Sequence, residues 1–321
     1  MCLHIHMTPH ANERNSQSGF YLFTVRGQKG IQMQWILLVL LYGVLKGVRD
    51  IIKKKSLQKS SMKEVLFFYT LFAFILVTFD VKNAMGVEMK YMGLIAIKSF
   101  IIFVAWICAF YAIDKMPISL YGVLDLSRVL FATFLGVTVL GEALTIHQMI
   151  GLVFVLVGLS MLKFNSKKGI FGIEYGKTSD KVAPVYVICA LVSCLLNAAS
   201  GVFDKLLMKS VNSSQLQFWY MLYLVIFYLI YLIVTKTKIQ WKTVLTNYWI
   251  YMLSILFVIA DRALFLANGM ADSRVTIMTL IKQSGCVVTI LAGKYIFKEK
   301  NVGYKFMCAT VIITGIVIAV V

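Results

Sequence analysis

The chain is divided into runs of about 20 mostly apolar residues separated by short polar stretches, and this pattern limits its fold more than any other feature. A helix of about 20 residues spans the hydrocarbon of a bilayer. It does so with its backbone hydrogen bonds satisfied internally. Ten such runs are read, at 33–52, 64–80, 91–112, 118–140, 145–163, 183–204, 215–235, 248–270, 274–297 and 301–321. Pro117 and Pro184 stand at helix starts, where a missing N–H costs nothing. Trp35, Trp219, Trp241 and Trp249 lie near the ends of runs, as interfacial anchors do. The reading is an all-α integral membrane protein with ten transmembrane helices.

Composition agrees. Hydrophobic residues make up 60% of the chain and charged residues 14%, too little polar surface for a soluble protein of this length. The net charge of +18 does not point to nucleic acid. Its lysines sit in loops between apolar runs, such as Lys53, Lys54 and Lys55, or Lys167 and Lys168, and no basic soluble domain is present to carry a nucleic-acid surface. Loops after the odd-numbered helices hold most of the Lys and Arg, which places them in the cytoplasm and both termini outside. Five of the six cysteines lie inside apolar runs without a CxxC pair and read as small core residues. Neither a metal nor a cofactor is implied.

Residues 1–32 are polar and lack the apolar stretch of a signal peptide. They read as a disordered N-terminal tail, with Met33 an alternative start just before the first helix. The linker at 164–182 contains Gly176-Lys177-Thr178. A phosphate loop would need glycine at position 171, which is Phe171, and a preceding strand; nucleotide binding is excluded.

The chain repeats itself. Gly47, Val48 and Asp50 recur as Gly201, Val202 and Asp204, and Met116, Ser119 and Arg128 as Met270, Ser273 and Lys282, at an offset of 154. Gly141-Glu142 matches Lys298-Glu299, and Gly158 matches Gly315, at 157, so three residues are inserted in the second half. Five helices per half make the halves cross in opposite senses, an inverted repeat of the kind found in secondary transporters. The domains are therefore a first repeat at 33–163 and a second at 183–321.

The segment from Gly136 through Gly141-Glu142 and Gly151 to Gly158 resembles the end of an EamA-type repeat of the drug/metabolite transporter superfamily, and Phe297 to Gly315 is a second copy. Lys298 replaces the usual glycine in the second copy, and Ala271 stands where the first repeat has Pro117. The resemblance implies transport of a small molecule without specifying which.

An ionisable side chain at mid-bilayer costs roughly 3 kcal/mol on insertion scales, so each asks for a reason. Lys46 and Asp50, spaced i,i+4, and Asp125 and Arg128, spaced i,i+3, are positioned to pair on their own helices. Lys98, Asp261 and Lys282 have no such neighbour and need a partner across the bundle, a wet cavity or a substrate. Among the charges in the spans, Lys46, Arg49, Lys98, Arg128, Arg262 and Lys282 are weighed against four acids, Asp50, Asp125, Asp204 and Asp261, an excess that favours an anionic or zwitterionic substrate. Arg128 and Lys282, taken as symmetry mates, are expected to frame its polar end, with Gln283, Asp125 and Lys98 beside them. A carboxylate at mid-helix is costly to keep ionised, which suits Asp261 to proton coupling; the competing reading pairs it permanently with Lys98 or Lys282.

The function expected is non-ATP secondary transport of a small polar metabolite by alternating access, in a bacterial-type plasma (inner) membrane. An intramembrane lipid-modifying enzyme needs His, Cys or Ser beside an acid, whereas His147 stands alone near a loop. A purely structural membrane subunit leaves the buried charges unexplained. Nothing in the sequence points to a particular oligomeric state.

Overall fold

The computed structural model describes residues 13–164, 183–299 and 302–320. The described residues are helical without strands. In order, the helices are α1 (Glu13–Leu57), α2 (Met62–Val77), α3 (Val81–Ala84), α4 (Met89–Lys115), α5 (Ile118–Asp125), α6 (Arg128–Leu140), α7 (Ile146–Phe164), α8 (Pro184–Leu207), α9 (Ser213–Val234), α10 (Trp241–Thr246), α11 (Tyr248–Gly269), α12 (Val275–Lys282), α13 (Gly285–Tyr295) and α14 (Val302–Val320). Among the described residues, eight stretches are long and apolar enough to cross a membrane, and Ile146–Gly158 is a shorter apolar one. Helix α1 starts at Glu13, so from Glu13 on the expected irregular tail is helical, the helix propagating back from the apolar run. Residues 1–12 lie outside the described residues, as does the expected linker apart from Phe164, which ends α7.

Local signals begin several helices. Ser61 and Glu64 form a capping box at α2, and Asn212 and Gln215 form its counterpart at α9, each satisfying free N-terminal N–H groups. The connections gather at two ends of the bundle. At one end Asn247 Nδ2 donates to Ser56 O at 3.0 Å, Gln240 N donates to Glu64 Oε1 at 2.6 Å, and Lys54 Nζ donates to Ile113 O at 3.2 Å. At the other, Gln215 Nε2 donates to Met85 O at 3.0 Å and Lys205 Nζ donates to Met270 O at 3.1 Å. Loops that follow odd-numbered apolar runs meet each other, and so do those that follow even-numbered ones.

The fourth apolar run of each half is broken, where the sequence suggests a continuous helix. Between α5 and α6, Leu126 N bonds to Val123 O and Ser127 N to Leu124 O. Between α12 and α13, Gln283 N bonds to Leu280 O and Ser284 N to Ile281 O. These i→i−3 bonds mark a tightened turn, and no proline is needed to make it. It leaves nearby carbonyls for neighbours. Cys194 Sγ contacts the carbonyls of Leu124 and Asp125, and Gly43 packs at the equivalent place on Ile281 and Lys282. A Cβ on Gly43 would overlap Ser284 Oγ, and one on Gly285 would lie 2.5 Å from Gly43 O. The Gly43/Gly47 pair thus serves close helix approach.

Each half caps the other. The Glu142 carboxylate accepts Val275 N at 2.8 Å, Thr276 N at 3.1 Å and Thr276 Oγ1 at 2.6 Å. The Glu299 carboxylate accepts Ile118 N at 2.7 Å, Ser119 N at 3.2 Å and the Ser119 hydroxyl. These contacts fix the repeat register at 157 for the fourth helices. Ser119 therefore matches Thr276, Lys282 matches Asp125, and Arg128 matches Gly285. The expected pairings of Arg128 with Lys282 and of Ser119 with Ser273 are incorrect. The second half carries Ala271, Asp272 and Ser273 between α11 and α12, and the offset has already changed there. In the first helices it is 151, which pairs Gly43 with Cys194, Lys46 with Asn197 and Lys54 with Lys205, so the expected matches of Gly47 with Gly201 and of Asp50 with Asp204 are incorrect as well.

Candidate functional site

A cavity of about 70 Å³ lies between the two halves, room for a handful of waters. Helix α1 supplies Tyr42, Lys46, Arg49, Asp50 and Lys53, one face of a helix at i, i+4, i+7, i+8 and i+11. Helix α8 supplies Asn197, Ala198, Ser200, Gly201 and Asp204. Of these, Asn197, Ser200, Gly201 and Asp204 are the repeat mates of Lys46, Arg49, Asp50 and Lys53. The same two faces thus line the cavity, one charged and one nearly neutral. Tyr69 and its mate Tyr220 close it, with Trp106, Tyr121 and Phe265.

Most of the charges are paired. Asp125 is bonded by Lys46 and, at 2.6 Å, by Arg128. Arg49 pairs with Asp261 at 3.3 Å, Lys53 with Asp50 at 2.8 Å and Lys98 with Asp204 at 2.8 Å. All of these side chains are nine-tenths buried or nearly so. Burying an ion is costly unless it is paired, and the pairs explain why so many are tolerated. Lys282 is the exception. It is 8% exposed, and among the described residues no carboxylate lies within ion-pair distance. The Tyr42 ring centroid lies 5.6 Å from its ammonium.

Several pairings differ from those the sequence suggests. Lys46 reaches across to Asp125, and Asp50 is taken by Lys53 one turn on. Asp125 with Arg128 is as expected. Asp261 is held by Arg49, not by Lys98 or Lys282. Arg262 leaves the site altogether for Asp80, Ser213 and Ser214.

Of the expected site residues, Arg128, Lys282, Lys98 and Asp261 line the cavity together, while Asp125 stands behind Lys46 and Arg128. Gln283 is buried but not part of the lining, and its amide oxygen and nitrogen have no partner among the described residues. Trp35 is 2% exposed and packed beside Ala260 and Met278, not an interfacial anchor, because its helix face turns inward. Sequence reasoning missed Lys53, Tyr42, Tyr69, Trp106 and Tyr121. The match of Tyr69 with Tyr220 was legible only if the repeats were aligned with a changing offset.

The sequence model of the EamA-like transporter family matches residues 33–164 and 184–321, nearly the whole of both halves. No curated protein sequence matches the chain. Among solved structures, one protein known from its crystal structure superposes with a TM-score of 0.61 at 15% identity, over 91% of this chain and 96% of that one. At that identity the likeness speaks for the fold alone.

Proposed function

The chain belongs to the EamA-like transporter family, and from that premise we propose that it is a secondary carrier for a small anionic or zwitterionic metabolite. The observation that carries this reading is the charge balance of the cavity. Six cations, Lys46, Arg49, Lys53, Lys98, Arg128 and Lys282, stand in or on it against four carboxylates, Asp50, Asp125, Asp204 and Asp261. Lys282 has no acid, and Lys46 and Arg128 share one. A buried surplus of this kind is costly when the cavity is empty and is offset by an anionic group on a substrate. Lys282 is its primary anchor, Arg128 faces it from the other half, and Lys98 and Asp125 hold the surrounding charges in place. Gln283, outside the lining, is available only if the α12–α13 turn shifts.

The broken helices at the interface of the halves support alternating access about that site. Ten crossings in two inverted repeats, in a bacterial-type inner membrane with the lysine-rich loops in the cytoplasm, complete the arrangement. No nucleotide is required. Asp261 is the candidate coupling carboxylate, exchanging a proton against its contact with Arg49. The test is uptake into proteoliposomes from a panel of anionic, zwitterionic and cationic metabolites. Saturable uptake of an anionic or zwitterionic compound, absent from empty liposomes, is expected; uptake restricted to cations would overturn the reading.

A further inference from the structure

The ammonium of Lys98 is held by groups from three other helices. Asp204 on α8 lies 2.8 Å from Nζ. The ring centroid of Tyr220 on α9 lies 3.6 Å away, and that of Phe265 on α11 lies 4.7 Å away. Lys98 comes from α4 and is 1% exposed. All four residues line the cavity. A carboxylate with two aromatic faces is the chemistry that recognises a free alkylammonium. Here the occupant is tethered to the chain.

The repeat shows that this arrangement is not imposed by the fold. Asp204 is the mate of Lys53, which is satisfied one turn away on its own helix by Asp50. The mate of Asp50 is Gly201, so Asp204 has no local cation and opens onto the cavity. A Cβ on Gly201 would meet nothing within 4 Å, which leaves unfilled space on this wall.

We propose that Asp204, Tyr220 and Phe265 form an alkylammonium-binding site that Lys98 fills from within, so that Lys98 excludes primary amines and other organic cations from that site. Lys98 is then a specificity-determining residue. The proposal stands whether or not the transported molecule is an anion, because binding at this site is read without the substrate.

The full-length protein is purified in detergent as wild type, Lys98→Ala, Lys98→Met and the double variant Lys98→Ala with Asp204→Asn. Each is titrated with propylammonium and tetramethylammonium while thermal unfolding is followed. Lys98→Ala should gain a saturable rise in melting temperature with propylammonium, at least about tenfold tighter than any effect on wild type, with a weaker gain from tetramethylammonium. The double variant and Lys98→Met, whose side chain fills the space without charge, should gain none. Adding Tyr220→Leu should abolish the gain, and Tyr220→Phe should keep it. Because Lys98→Ala leaves Asp204 unpaired, propylammonium is also supplied during purification. Recovery of folded Lys98→Ala only in its presence supports the proposal. A folded Lys98→Ala that ignores both amines overturns it, as does equal stabilisation of the double variant, or a Lys98→Ala protein that no amine recovers while the double variant folds.

Discussion

Asp125 bonds both Lys46 and Arg128, and removing it strands two buried cations. Asp125→Ala should destabilise the protein by about 3–5 kcal/mol, visible as a large fall in melting temperature, whereas Asp125→Asn, which keeps the shape, should fold better and bind an anion more tightly. Asp261 is paired with Arg49. If it couples a proton to transport, Asp261→Asn abolishes accumulation and spares exchange; a pH dependence unchanged by the substitution identifies the contact with Arg49 as a fixed ion pair. The sequence marked these residues well, because any charge inside a membrane span is conspicuous. Their partners were less legible: Lys46 has Asp50 one turn away, and only the packing of α1 on α5 turns it to Asp125. Lys282 was legible as unpaired on its own helix. That it stays unpaired across the bundle required the structure.

Apart from the start of α1, at Glu13 and not at 33, the ends of the long apolar spans were readable to within a few residues, since hydropathy sets their length. The breaks at Ser127 and at Gln283-Ser284 were not, because neither contains proline and local propensity does not register a change from i−4 to i−3 bonding. Their caps are reciprocal between the halves, so Glu142→Ala and Glu299→Ala should each cost about 1–2 kcal/mol, measured as a fall in melting temperature, with the Gln variants milder. The close approach of α1 to α13 gives a sharper contrast. Gly285→Val should sharply reduce the folded fraction seen by size-exclusion chromatography, because its Cβ would press on Gly43 O and Gly47 N. Gly201→Ala, with open space around it, should leave that fraction unchanged.

Across the whole molecule, two related halves enclose a cavity whose walls correspond position by position yet differ in charge. The repeat was legible from short matches, but a single offset misaligned it. Extra residues between α11 and α12 change the register, and only the Glu142 and Glu299 caps show where. Arg128 and Lys282 therefore meet in one cavity without being symmetry mates. The lysine-rich end of the bundle should face the cytoplasm: an impermeant thiol reagent added outside should label Lys82→Cys and leave Lys238→Cys unmodified. Substrate affinity in proteoliposomes carrying Lys282→Met, Lys282→Arg or wild-type protein bears most directly on the cavity as the transport site. Lys282→Met should weaken affinity at least about tenfold, the loss of one charge-assisted contact, while Lys282→Arg retains most of it. Equal affinity in all three, with Lys282→Met merely yielding less folded protein, would mean that Lys282 is structural and that the substrate binds elsewhere.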